Sequence, residues 1–201
     1  FNGYFRGKKV LVTGHTGFKG SWLCLWLREL GAEITGYSLD PPTQPSLFEQ
    51  ADLFKRVCSL RGDVRDLAPF QETIESVQPE IIFHLAAQSL VRESYENPVE
   101  TISTNVLGTV NILEAVRRAG ASVRVCQIIT SDKCYENDES SHAHPEEDRM
   151  GGRDPYSASK GAAEIAIAAY KNSFFSAKTI KVHGIKVATV RAGNVIGGGD
   201  W

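Results

Sequence analysis

Long apolar runs are missing from this sequence. None approaches the roughly 20 residues that a helix needs to cross a bilayer, so no membrane partner is expected. No charged segment leading into an apolar stretch and a small-residue cleavage site opens the chain, and no secretory leader is expected. The first residue is Phe1 rather than methionine, from which we expect a chain trimmed at that end. A surplus of one charge is missing as well: 22 Lys and Arg stand against 24 Asp and Glu, for a net charge of −2. That balance gives no electrostatic case for nucleic acid or an anionic membrane surface. Cysteine is scarce. Cys24, Cys58, Cys126 and Cys134 are scattered without a C-x-x-C pair, which argues for free thiols in a reducing cytosol and against disulfides or a thiolate metal centre. His142 and His144 lie in a polar stretch with no cysteine or third histidine near, so a solvated loop is expected there and no metal.

What is present is the composition of an ordinary globular protein, 42% apolar and 23% charged over 201 residues, enough for one substantial domain. Short apolar runs alternate with helical patterns, which predicts an α/β fold with a parallel sheet and helices on both faces. Strands are expected at Lys9–Thr13, Ile34–Leu39, Val57–Leu60, Glu80–Leu85, Val123–Thr130 and Ile185–Val190. The fourth, apolar throughout, belongs at the centre of the sheet. Helices are expected at Phe18–Leu30, stopped by Gly31, at Leu67–Val77, at about Val99–Ala119, closed by Gly120, and at Tyr156–Phe174. A polar loop from about Asn137 to Asp154 is long enough to be functional or mobile. No internal repeat and no linker divides the chain. Its last residues, Gly197-Gly198-Gly199-Asp200-Trp201, follow a strand without a closing helix, from which we expect a hinge into a missing C-terminal part.

The first strand leads into Gly14-His15-Thr16-Gly17-Phe18-Lys19-Gly20 and then a helix. Glycines there permit a tight turn and let backbone N–H groups and the helix N-terminus approach a pyrophosphate. The spacing is G-x-x-G-x-x-G, and strand, turn and helix stand in the order that a dinucleotide site requires. The ribose-reading position at the end of the second strand falls on Ser38, with Asp40 following and no Arg or Lys within several residues. NAD is therefore expected rather than NADP. Lys19 can serve either phosphate.

Tyr156 and Lys160 share one face of the Ala-rich helix. An ammonium beside a phenol favours the phenolate and lowers the tyrosine pKa, as does a nicotinamide ring. A phenolate can take the proton of a sugar hydroxyl while the adjacent carbon gives up hydride. A bare Y-x-x-x-K reads equally as a surface pair. Following a matching glycine turn, it reads as a redox pair.

Taken together, the glycine turn, Gly62-Asp63-Val64, His84-Leu85-Ala86-Ala87, Thr104-Asn105, the Y-x-x-x-K pair and Arg191-Ala192-Gly193-Asn194 resemble the extended short-chain dehydrogenase/reductase family. Gly14–Trp22, Thr130–Glu136 and Arg191–Trp201 are similar, more narrowly, to its CDP-glucose 4,6-dehydratase branch. The resemblance implies a doubly wound, Rossmann-type sheet over 1–201 that binds NAD, and a smaller C-terminal sugar-nucleotide domain that is absent. It also implies a nucleotide-sugar substrate, a cytoplasmic location and a homo-oligomer paired through the helices after Pro98 and Pro155.

Carried over by position, Asp63 would bond the adenine amino group beside Val64. Leu85, Ala86 and Ala87 would line the cofactor, with Thr104 close to it. Asp63 also reads as a turn or capping aspartate, and His84 as a satisfied, half-buried histidine. The fifth strand ends in Ser131-Asp132-Lys133, the catalytic stretch by which dehydratases differ from epimerases. The resemblance makes Asp132 the acid that protonates the departing C6 hydroxyl and Lys133 the base that removes the C5 proton. Such a base needs its pKa lowered by desolvation or a neighbouring cation. Asn194 would contact the nucleotide diphosphate. Gln88 and Ser89 could face substrate, whereas Arg92 reads equally as a surface cation. A 4-epimerase, which needs no acid–base pair at the fifth strand, stays open as an alternative, as does a non-enzymatic NAD(P)-binding regulator.

Overall fold

A computed structural model describes residues 1–120, 122–137 and 143–200. His142 and Trp201, named above, lie outside the described residues. Six strands form one parallel sheet: β1 Lys9–Thr13, β2 Glu33–Ser38, β3 Cys58–Arg61, β4 Ile81–His84, β5 Val125–Ile129 and β6 Lys186–Val190. Their order is β3-β2-β1-β4-β5-β6. This is a doubly wound α/β sheet. Strand order reverses between β1 and β4, where the connections leave to opposite sides and open a crevice at the carboxyl ends.

Alternation along the strands divides the apolar residues between two cores. On one face Leu11, Ile82 and Ile128 meet Phe70 and Ile74 of α3 (Leu67–Val77), Ile112 and Val116 of α6 (Gly108–Arg118), and Ile167 of α7 (Pro155–Ser173). On the other Val10, Val12, Ile34 and Ile81 meet Cys24 and Leu27 of α1 (Phe18–Glu29) together with Phe48 and Leu53. β4 gives Ile81 to one core and Ile82 to the other, which is why its run is apolar throughout. Gly31 ends α1 at φ +85°, a conformation that a side chain would strain.

The helix expected over Val99–Ala119 is interrupted. α5 (Pro98–Ile102) passes into a π-helical turn, Ser103–Leu107, before α6 resumes the α-helical path. A π turn keeps the apolar stripe and shifts only its phase, so hydrophobic spacing does not reveal it. Short helices also escape periodicity: α2 (Leu47–Gln50), α4 (Val91–Glu96) and α8 (Ile180–His183) are each under two turns. The described part of the long loop is tied down. Tyr135 bridges Met150, the Glu136 N–H donates to Arg149 O, and Asp154 caps α7 by accepting from the Ser157 N–H at 2.9 Å. All four cysteines are free. Among the described residues no helix is long and apolar enough to cross a membrane, and no group of His, Cys, Asp or Glu is arranged to hold a metal.

Phe70 is fully buried, with its ring edge-on to Tyr37 at 5.1 Å. Phe70→Ala should therefore lower unfolding stability by about 3–5 kcal/mol, measured by urea denaturation of the full-length protein.

Candidate active site

A cleft of about 1100 Å3 runs along the carboxyl ends of the strands. Its wall gathers the glycine turn, the tip of β2, Asp63 and Val64, Leu85–Gln88, Thr104, Ser131, Lys133, Tyr156 and Asn194. At its floor Gly14 has φ +73°, and a Cβ there would meet the backbone nitrogen of Ala86 at 2.7 Å. A Cβ on Gly20 would meet the Gly14 carbonyl oxygen at 2.1 Å, so α1 sits directly on the turn. Gly17 caps α1 without a side-chain hydrogen bond, leaving the helix's first amides to an outside acceptor. The turn is thus a cradle that side chains would fill, and it fits the pyrophosphate of a dinucleotide.

His15 departs from expectation. Its side chain is fully buried beneath the turn, with Nε2 2.7 Å from Ser59 Oγ and the ring covering Gly36, so only its backbone belongs to the cradle. Thr16 donates to Leu39 O at 3.0 Å and therefore accepts the Ser38 hydroxyl at 2.6 Å. Beside Ser38 the fold places a basic residue that chain order does not show. β3 delivers Arg61, whose Nε donates to Asp40 Oδ1 at 2.7 Å. Asp63 is both cleft wall and turn aspartate: Oδ1 accepts the Arg65 N–H at 2.8 Å while Oδ2 takes the Arg65 guanidinium. The Arg65 bonds hold its carboxyl below the usual carboxylate range against the opposing cost of burial. Gln88 lines the cleft, but its side-chain amide donates to Leu90 O and Thr101 Oγ1, so its polar atoms brace their own loop.

Between β1 and β4 the hydrogen-bond network settles its own proton positions. Thr13 Oγ1 accepts the N–H groups of Leu85 and Ala86, both at 3.2 Å, so its hydroxyl donates to His84 Nδ1 at 2.7 Å. His84 Nε2–H then donates to Thr109, and Thr109 to the Asn105 carbonyl. Burial and the Lys160 charge push the His84 pKa down to about 3. His84 is a satisfied histidine, more deeply buried than its strand pattern suggested. Asn105, in the π turn, went unassigned in the sequence as more than part of a motif. Its side chain accepts from the Gln88 N–H, and donates to the Gln88 carbonyl and, at 2.8 Å, to Ser159 on α7.

α7 presents Tyr156 and Lys160 on one face, both buried, with the ammonium 5.8 Å from the ring centroid. The expected lowering of the tyrosine pKa does not hold: burial pushes it up, opposed by a hydrogen bond with Ser131. Lys160, pushed down to about 8 by burial and then by Lys19, is the group that titrates near neutrality. A π-face approach and shared burial leave the cation no net hold on the phenol. Ser131 donates to Asp132 Oδ1 at 3.0 Å and accepts the Lys133 N–H. Lys133 Nζ stands 3.5 Å from both Asp132 Oδ1 and Asn194 Oδ1. Lys133 and Asn194 line the cleft, whereas Asp132 is not part of its wall and reaches it only through its pairing with Lys133. A further pair was not assigned from the sequence. Arg191, at the end of β6, grips buried Glu164 of α7 with two bonds of 3.0 Å and donates to Tyr135 Oη. Its signal was Glu164 one turn past Lys160 on an otherwise apolar face.

Residues 11–184 match the family described as GDP-mannose 4,6 dehydratase. The chain belongs to that family. It lies accordingly among the extended short-chain dehydrogenases/reductases. Over 98% of its length it is 55% identical to a CDP-glucose 4,6-dehydratase of Salmonella typhimurium, and it spans 55% of that relative. A UDP-glucose 4-epimerase of Thermus thermophilus in complex with NAD shares the fold with a TM-score of 0.74 at 27% identity, over 91% of this chain and 54% of that one. A dTDP-glucose 4,6-dehydratase of Bacillus anthracis, also with NAD, superposes with a TM-score of 0.78 over 97% of this chain and 57% of that one; at 20% identity it speaks for the fold alone.

The buried histidines set an acid limit on this family member's stability. His15 is pushed down to about 4, first by burial and then by Arg61, and His84 to about 3. Unfolding raises both to the free value near 6.5, so the unfolded chain binds more protons below that pH. Their contribution is whole above pH 6.5 and drains as pH falls toward 4 and 3. Urea denaturation at pH 5 should show about 2 kcal/mol less stability per histidine than at pH 7. Equal stability at the two pH values would refute this.

Proposed function

We propose that this chain is the NAD-binding Rossmann domain (1–201) of a cytoplasmic nucleotide-sugar 4,6-dehydratase that converts CDP-glucose to CDP-4-keto-6-deoxyglucose. In this proposal a sugar-nucleotide domain lies beyond residue 201. The observation that carries the reading is the junction of two proton-handling pairs at one cleft: Tyr156 with the Lys160 ammonium 5.8 Å from its ring centroid, and cleft-lining Lys133 with Asp132 at 3.5 Å. The 55% identity to a CDP-glucose 4,6-dehydratase supports the substrate, and solved relatives with NAD support the cofactor.

The chemistry follows from the positions of these groups. Tyr156, as the phenolate that the positive nicotinamide ring of bound NAD would favour, takes the proton of the sugar's C4 hydroxyl, with Lys160 behind the ring. The cradle of Gly14, Gly17 and Gly20 would hold NAD, which would supply a reversible hydride acceptor for C4 and C6. The 4-ketone acidifies the C5 proton, which Lys133 collects as the free amine while Asp132, entering the step protonated, delivers a proton to the departing C6 hydroxyl, and water leaves. At 3.5 Å, Lys133 can pass its proton to Asp132 and reset the pair. Asn194 holds the diphosphate beside them. Nothing is oxidised or reduced overall. A 4-epimerase has the hydride returned to C4 on the opposite face, without elimination, and has no use for Lys133 and Asp132. The exposed apolar residues Val99, Ile102 and Leu107, with Ile165 on α7, offer a face for self-pairing, which sedimentation of the full-length protein reads as a dimer.

Full-length protein given NAD with CDP-, dTDP- or UDP-glucose should form a 4-keto-6-deoxy product strongly only from CDP-glucose. Interconversion of UDP-galactose and UDP-glucose in its place would make it an epimerase. Lys133→Met should slow elimination by about 10²- to 10⁴-fold while NAD binding, read by calorimetry, stays unchanged. Undiminished turnover removes Lys133 from the mechanism.

A further inference from the structure

Next to the ribose end of the cleft, in an adjoining cavity, stands a cation that chain order hides. Asp40 follows β2 with its side chain 87% exposed, and it lines both the main cleft and a second cavity of about 600 Å3. The two cavities share Asp40, Pro42 and Thr43, so the smaller opens off the ribose end of the larger. Arg61 lines the smaller one. It ends β3 in register with Ser38, the last residue of β2. Its guanidinium is held on three sides. Nε donates to Asp40 Oδ1 at 2.7 Å, one terminal nitrogen donates to Ser59 Oγ at 3.2 Å, and the carbon stands 5.5 Å over the Phe48 ring. Ser38 does not compete for this role, because its hydroxyl proton is given to Thr16.

The two nicotinamide dinucleotides differ at this ribose by a hydroxyl against a phosphate that carries nearly two negative charges. A carboxylate accepts from the hydroxyl and repels the phosphate, whereas a guanidinium binds the phosphate through paired N–H donors. Both groups stand here within one hydrogen bond of each other, beside a cavity with room for a phosphate. We propose that Asp40 and Arg61 form the ribose selector of this chain: Asp40 rejects a 2′-phosphate and keeps Arg61 engaged, and Arg61 is a 2′-phosphate ligand held in reserve. The proposal rests on the dinucleotide reading of the cleft. It makes discrimination against NADP depend on a single carboxylate, with the opposing site already built.

The test is a set of equilibrium titrations of the full-length protein with NAD and with NADP, read by calorimetry. The proteins compared are the wild type, Asp40→Ser, Arg61→Gln and the double variant. Wild type should bind NAD more tightly than NADP. Asp40→Ser should weaken NAD several-fold and tighten NADP by about tenfold, the equivalent of roughly 1.4 kcal/mol. The double variant should lose that gain in NADP affinity, and Arg61→Gln alone should still prefer NAD. Both side chains are largely solvent-facing, so unchanged thermal midpoints should accompany these shifts. Unchanged NADP affinity in Asp40→Ser, or a gain that survives in the double variant, overturns the selector while leaving the NAD site standing. A wild type that binds neither dinucleotide overturns the cleft reading and the selector with it.

Discussion

The backbones of Gly14 and Ala86 touch across the gap between β1 and β4, and the cleft takes its shape from that contact. No side chain fits between them. The connections leaving the two strands diverge from this point, so its tightness sets the width of the crevice floor. The Thr13 hydroxyl secures it, accepting two N–H groups from the β4 connection while donating to His84. Because the Thr13 proton must go to Nδ1, His84 is fixed in one neutral tautomer and passes the network on to the π turn. A single hydroxyl thus joins two strands, a histidine and a helix.

The charges around this floor are arranged for an anion. Lys160 disfavours a charged His84, Lys19 disfavours a charged Lys160, and Arg61 disfavours a charged His15. Burial does most to push each of these groups toward its neutral form, and the neighbouring cation adds to it. A diphosphate brought to the glycine turn enters a positive field already present, and it would relieve the repulsion between Lys19 and Lys160. Tyr156 lies outside that pattern: burial raises its pKa, and the carboxylates of Asp132 and Asp154 add to the rise.

The sheet was legible because its apolar runs are short, regularly spaced and separated by glycines. The glycine turn was legible because strand, turn and helix followed in order. Residues whose roles depend on position along the chain, such as Tyr156 and Lys160, could be paired from spacing alone. Those whose roles depend on strand adjacency could not: Arg61 reaches Asp40 because β3 lies beside β2, and no local pattern announces that. The core-facing side chain of His15 was not legible, because the backbone of a residue can form a cradle while its side chain turns inward. Nor was the bracing role of Gln88, because a polar side chain in a cleft wall can also tie down its own loop. The π turn stayed hidden because hydrophobic spacing is nearly blind to one extra residue per turn.

Asn105 fastens the peptide of Gln88 to Ser159, so the β4 connection and α7 form one stiff jaw. Arg191 fastens the far end of the same helix to β6 through Glu164. On the opposite side residues 192–196 line the cleft, held by the Asp132 N–H on the Ala192 carbonyl at 3.2 Å and, further on, by the Trp22 indole N–H on the Gly198 carbonyl at 2.9 Å. The stance of Tyr156 is thus governed from outside: Asn105 and Glu164 form no part of the cleft wall, yet they fix where its helix stands.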